Sequence, residues 1–162
     1  MGDDQVKVGI ADLNLVLPPG VIMTIGLGSC IGISLYDKKR KIAGIAHIML
    51  PDSTQFSEVK APMKFADLAI PMLIEKMQKK GCVKEDLVAK IAGGASMFNF
   101  SDSKVNSDIG SRNAISVKEA LKRNNIPILA EETGGNKGRT MIVNSEDGVV
   151  TIRVVGQGTI TL

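Results

Sequence analysis

The chain has no tryptophan, and Tyr36, Phe56, Phe65, Phe98 and Phe100 are its only other aromatic rings in 162 residues. A core must therefore come from Ile, Val, Leu, Ala and Met, and the stacking platforms of a single-strand nucleic-acid binder are missing. Reactive side chains are scarcer still: one histidine, His47, and two cysteines, Cys30 and Cys82. That inventory cannot fill a four-ligand Cys/His zinc site unless carboxylates complete it, and it cannot build a disulfide framework. The expectation is no metal and no cofactor. No apolar run approaches the ~20 residues that span a bilayer. The start, Met1-Gly2-Asp3-Asp4, is acidic where a secretory signal would be basic and then apolar. A cytoplasmic setting with free thiols and no membrane insertion is expected. Net charge is only +3, concentrated in Lys38-Lys39-Arg40-Lys41. With no aromatic interleaved, that run reads as a solvated turn between strands rather than a nucleic-acid surface, docking to an acidic partner being the other option.

What is present is a strand-rich pattern with two helices. Val6, Val8 and Ile10 alternate in one phase and Leu13, Leu15 and Leu17 in the other, so a bulge or bend is expected near Ala11-Asp12. Pro18-Pro19-Gly20 marks a turn. Residues 21–27, 30–36 and 42–50 read as strands, the last so apolar that both faces should be covered. A helix follows from Phe65, Leu68, Ala69, Met72, Leu73 and Met77, with Gly81 as C-cap and Pro71 expected to kink or restart it. Residues 87–92 form a strand ending in Gly93-Gly94, residues 96–107 an ordered loop, and residues 109–124 a second helix with Ala114, Val117, Ala120 and Leu121 on its apolar edge. Strands at 127–131, 139–144 and 149–155, a hairpin turn at Ser145-Glu146-Asp147-Gly148 and a tail strand at 159–162 complete the chain. The fold class is α+β: residues 1–162 as a single layered domain of mixed β-sheet with two main helices.

Three residues invite chemistry. Cys30 ends Gly26-Leu27-Gly28-Ser29-Cys30, a glycine-punctuated turn between strands that can expose a nucleophile and aim backbone N–H groups at an oxyanion. The backbone amides of Ser29 and Cys30 are the candidate donors. The same glycines can simply make the turn around a small buried thiol. A phosphate loop is rejected, because Gly26, Gly28 and Gly32 lead into a strand where a dinucleotide fingerprint requires a helix. His47 lies in an apolar strand, where an imidazole is commonly a satisfied core residue. Pairing the strands about a turn centred on residues 38–39 places Cys30 opposite residues 46–48, ~5 Å from an imidazole at Cβ. An imidazole so placed can take the thiol proton, and the resulting ion pair lowers the thiol pKa. Thr24, on the strand entering the turn, is a candidate to orient the ring through its hydroxyl or carbonyl, or is just a β-branched strand residue. Cys82 has no such surroundings. The glycine-rich clusters at 93–96, 109–113 and 134–139 make turns and caps, or rim a pocket beside Cys30.

Taken together, Gly26-Leu27-Gly28-Ser29-Cys30, His47-Ile48-Met49-Leu50-Pro51, Lys64-Phe65-Ala66-Asp67, Lys90-Ile91-Ala92-Gly93-Gly94-Ala95-Ser96-Met97-Phe98, Ile109-Gly110-Ser111-Arg112-Asn113 and Glu132-Thr133-Gly134-Gly135 with Arg139 resemble the CheD family of chemoreceptor glutamine deamidases. The resemblance spans residues 6–156. It implies a fold similar to the cytotoxic necrotizing factor-like cysteine hydrolases. It places the family's nucleophile on Cys30, its base on His47 and its third member on Thr24, with a thioester intermediate. It also implies methyl-accepting chemoreceptor helices as substrate, possible cleavage of glutamyl methyl esters, and binding to a CheC-type response-regulator phosphatase. The alternatives are an interaction module that activates such a phosphatase with little turnover, and a structural domain with an inert thiol.

Overall fold

The computed structural model describes residues 4–96 and 109–162. Ten strands form two five-stranded sheets. The first is ordered β1 (Asp4–Val8), β3 (Gly20–Leu27), β8 (Arg139–Asn144), β9 (Val150–Val154), β10 (Gly158–Thr161). The second is ordered β2 (Asp12–Val16), β5 (Ile42–Ile48), β4 (Ile31–Asp37), β6 (Leu87–Gly93), β7 (Ile128–Thr133). Both are mixed, β1–β3 and β6–β7 being their parallel pairs.

The layers follow from side-chain parity. On β4, Ile31, Ile33 and Leu35 point to one face, where they join Ile48 of β5 and Ile70, Leu73, Val117 and Leu121 of the helices α1 (Ala66–Gln78) and α2 (Ile109–Arg123). The opposite parity brings Tyr36, Ala43 and Ile45 against Ile22, Leu27, Met141 and Val143 of the first sheet. The second sheet is thus the middle layer. Every residue of β4 and β5 is buried, as strands of a middle layer covered on both faces must be.

The phase change near residue 11 is a change of sheet: β1 belongs to the first and β2 to the second, with Ala11 at φ 59° in the reversal between them. The chain switches sheets again between β3 and β4, through Gly28-Ser29-Cys30. That corner places a half-buried thiol at one end of the space between the sheets.

Pro71 does not restart α1, which runs unbroken across it. Its missing N–H would have bonded the Asp67 carbonyl near the helix start. Pro71 is exposed, so water can reach that side, while Ala69, Ile70, Leu73, Ile74 and Met77 hold the other side to the core. Gly81, at φ 100°, ends the helix in a Schellman arrangement, with Cys82 N–H on the Met77 carbonyl and Gly81 N–H on that of Gln78. The basic run is a turn in which three of the four charges are answered locally: Lys39 and Arg40 reach Asp86, Arg40 also reaches Asp37, and Lys41 lies 3.6 Å from Glu146. The tail strand forms as β10. The expected loop at 96–107 lies, from residue 97 on, outside the described residues.

Candidate active site

β5 carries His47 into the space between the sheets, fully buried, and β3 of the facing sheet carries Thr24 toward it. The Thr24 hydroxyl lies 2.6 Å from His47 Nδ1 and donates to the Val8 carbonyl at 2.7 Å. A hydroxyl has one proton. With that proton on Val8, the ring must be the donor in the second bond, so Nδ1 carries hydrogen and Thr24 Oγ1 accepts it. The tautomer follows: the lone pair of the neutral imidazole is on Nε2. That atom is buried and has no hydrogen-bond partner among the described residues. Burial pushes the imidazole pKa down to about 4, so it is neutral near pH 7.

Cys30 immediately precedes β4, and the observed pairing differs from the expected one. Ile31 faces Ile48 and Gly32 faces His47, so extending the ladder sets Cys30 opposite Met49. The loop joining the strands has four residues, 38–41, and centres between residues 39 and 40 because Lys41 takes a left-handed conformation, φ 56°. His47 and Met49 have the same parity, so the shared face survives. Cys30 and His47 become diagonal neighbours, about 7 Å apart by strand geometry, with the side-chain-free Gly32 as His47's register partner. Cys30 packs against the cluster between the sheets, the side His47 occupies.

The expected ion pair is absent from the resting electrostatics. Burial raises the Cys30 thiol pKa, a rise the residue's own backbone N–H partly opposes, while burial keeps His47 deprotonated. Both shifts favour the uncharged forms, a protonated thiol beside a neutral imidazole. Cys82 is a different case: it is buried and its thiol is pushed up to about 12 by burial and the nearby Asp37 carboxylate.

Every carbonyl of the turn has a donor. Ala95 N–H bonds the Gly28 carbonyl at 2.8 Å, Asn113 Nδ2 the Ser29 carbonyl at 2.9 Å, and Gly94 N–H the Cys30 carbonyl at 2.8 Å. The N–H groups of Ser29 and Cys30 have no backbone acceptor among the described residues. At Gly93, φ 115°, a Cβ would stand 2.1 Å from the Cys30 carbonyl oxygen, so glycine is required there. Arg139, almost fully buried, binds Glu132, the Gly134 carbonyl and the Lys137 carbonyl, with Gly93 O at 3.4 Å. The clusters at 93–96, 109–113 and 134–139 thus frame the Cys30 turn. The Val8 carbonyl is not among the sequence candidates, and Asn113 stands there only as the last residue of the 109–113 cluster, with no role of its own. Asn113 had a signal: residues 113, 117, 120 and 121 share one helical face, and a polar residue in that stripe is out of place.

Among the described residues no three His, Cys, Asp or Glu side chains are grouped to hold a metal ion, and no helix is long and apolar enough to cross a membrane.

Residues 49–154 match the family described as CheD chemotactic sensory transduction, a span that begins just after His47. Whole-length relatives cover the rest. The chain is 66% identical over 158 residues, 98% of each chain, to a Clostridium novyi protein named "Probable chemoreceptor glutamine deamidase CheD". It is 64% identical over 162 residues, the full length of both, to the protein of that name from Clostridium botulinum strain Alaska E43, and 62% identical to that of Clostridium acetobutylicum, over 95% of this chain and 93% of the relative. A crystal structure of the Bacillus licheniformis hypothetical protein YfiH superposes at TM-score 0.46 and 14% identity, over 82% of this chain and 60% of that one, a distant likeness that adds nothing to the site. With a matched span covering most of the chain and relatives of this identity along its whole length, the chain belongs to the CheD family.

Proposed function

We propose that the chain hydrolyses the side-chain carboxamide of glutamines on the cytoplasmic helices of methyl-accepting chemoreceptors, releasing ammonia and leaving glutamate. The observation that carries this reading is His47 Nε2, a buried ring nitrogen with no hydrogen-bond partner among the described residues, on the same face as a half-buried thiol.

Cys30 is the nucleophile. Its thiol proton passes to His47 Nε2 as the sulfur bonds to the carboxamide carbon, and the electron pair of the C=O moves to oxygen. The Ser29 and Cys30 N–H groups, which have no backbone acceptor among the described residues, are the donors for that oxyanion. The imidazolium returns its proton to the amide nitrogen, the C–N bond breaks, and ammonia leaves a glutamyl thioester on Cys30. Water then attacks the thioester carbon, gives a proton to Nε2, and the C–S bond breaks as that proton returns to sulfur. Thr24 positions the ring throughout by accepting from Nδ1. A glutamyl methyl ester would enter the same thioester with methanol in place of ammonia. The complete Cys30–His47–Thr24 set favours turnover over a role confined to binding a CheC-type phosphatase, since an interaction module has no use for an oriented base. The site of action is the cytoplasm, where those receptor helices lie.

The test is incubation with a receptor cytoplasmic fragment, reading the gain of about one dalton per glutamine converted. Hydroxylamine should divert the thioester to a hydroxamate. Wild type should give the gain and Cys30→Ala and His47→Ala should not. A gain that survives Cys30→Ala overturns the mechanism, and no gain with wild type overturns the assignment for that receptor.

A further inference from the structure

We propose that Asn113 is a positioning residue for the active site: by anchoring the Ser29 carbonyl, its side-chain amide aims the Cys30 N–H, and by anchoring the Met49 carbonyl at the same time it holds the nucleophile's turn against the strand that carries the base. The proposal rests on the Cys–His reading above and adds to it the group that orients one of its two oxyanion donors.

Asn113 lies in the first turns of α2, is fully buried, and donates through Nδ2 to Ser29 O and to Met49 O, both at 2.9 Å. The two acceptors lie 84 and 64 residues away in sequence. Ser29 C=O and Cys30 N–H belong to one planar trans peptide unit, in which they point in opposite directions. Pinning the carbonyl inward on Asn113 therefore turns the N–H outward, away from the helix. The neighbouring unit is set the same way: Gly28 O is pinned by Ala95 N–H, which turns the Ser29 N–H. A donor on the carbonyl also polarises the unit and strengthens its N–H. Met49 and Cys30 are the residues next beyond the last β4–β5 pair, Ile31 and Ile48, so the second bond ties together the two chain segments that leave that end of the ladder.

Asn113 Oδ1 is buried with no hydrogen-bond partner among the described residues. A side chain present only to fill space or fasten a helix would be better replaced by an apolar one, since an unpaired buried oxygen is costly. The function must lie in Nδ2. The same helix offers an internal comparison. One turn on, Ser116 Oγ donates to the Pro51 carbonyl, fastening α2 to the segment after β5 without touching the Cys30 turn.

The experiment compares Asn113→Ala, Asn113→Ser and Ser116→Ala with wild type in two readouts: kcat and KM for deamidation of a receptor fragment, and the pH profile of Cys30 alkylation by iodoacetamide. Peptide mass separates Cys30 from Cys82. Asn113→Ala should lower kcat about tenfold or more with KM within about twofold. It should also move the alkylation profile to higher pH, because the Cys30 N–H no longer lies against the sulfur. Asn113→Ser, able to reach only one carbonyl, should fall between, and Ser116→Ala should match wild type in both. An unmoved alkylation profile in Asn113→Ala, a change in KM alone, or an equal effect from Ser116→Ala overturns the proposal. If Asn113→Ala does not fold, Asn113→Ser is judged by the same criteria. The alkylation profile needs no substrate, so wild-type protein that fails to deamidate refutes the function without deciding this point.

Discussion

His47 should make the fold acid-sensitive by an amount that can be isolated. Its pKa is about 4 in the folded protein because the ring is buried, against an ordinary value of 6.5. A group whose folded pKa is depressed binds fewer protons in the folded state, so stability is fully present above pH 6.5 and is lost as pH falls toward 4. For that pair of values the loss is about 2 kcal/mol at pH 5 and about 3 kcal/mol at pH 4, a substantial fraction of the roughly 5–15 kcal/mol that stabilises a small protein. Carboxylates held below their ordinary range, Asp52, Asp86 and Glu131, also cost stability in acid. They are common to wild type and a His47→Asn variant, and cancel in the difference. Asparagine keeps a donor for Thr24 Oγ1 and does not titrate. Urea unfolding of both proteins from pH 7.5 to 4 should show wild type losing about 3 kcal/mol more than the variant, most of it below pH 6. With a single histidine in the chain, its imidazole proton resonances need no assignment, and their midpoint should fall near 4. Parallel loss of stability in the two proteins, or a midpoint near 6.5, would refute the claim that the base is buried and neutral.

Two further substitutions probe the geometry. Thr24→Val keeps the shape but leaves the Val8 carbonyl and the ring N–H unpaired, and should cost about 1–3 kcal/mol in denaturant unfolding together with most of kcat, while Thr24→Ser should retain both. Wild-type-like turnover by Thr24→Val would remove Thr24 from the site. Gly93→Ala forces a Cβ onto the Cys30 carbonyl at a left-handed φ, and should lower stability by at least about 2 kcal/mol and disturb Cys30 alkylation, whereas Gly9→Ala, at a position with open space, should leave alkylation unchanged.

The layered α+β architecture was legible because burial writes itself into period: β5 is apolar at nearly every residue and lies in the middle layer, and β2 reverses the phase of β1 because it lies in the other sheet. The register was legible only to within the loop. Lys38-Lys39-Arg40-Lys41 contains no glycine or asparagine to announce a left-handed residue, yet Lys41 adopts one, and the ladder, which ends at Ile31 and Ile48, extends to set Cys30 opposite Met49. Only parity kept Cys30 and His47 on one face. Pro71 does not interrupt α1, because its exposed side spares the helix the cost a buried proline would impose. The site itself is written as exceptions to the pattern that builds the core. Thr24, His47 and Asn113 each occupy a buried position in a strand or helix whose neighbours there are apolar. A buried polar group needs a partner, and these find theirs in one another or in the backbone of the same corner: Thr24 in His47 and Val8, Asn113 in Ser29 and Met49. One exception of this kind is a satisfied core residue. Several whose bonds converge on the segments flanking a half-buried thiol, and which leave His47 Nε2 without a partner among the described residues, satisfy the core only in part, and that remainder is the ground on which the proposed chemistry rests.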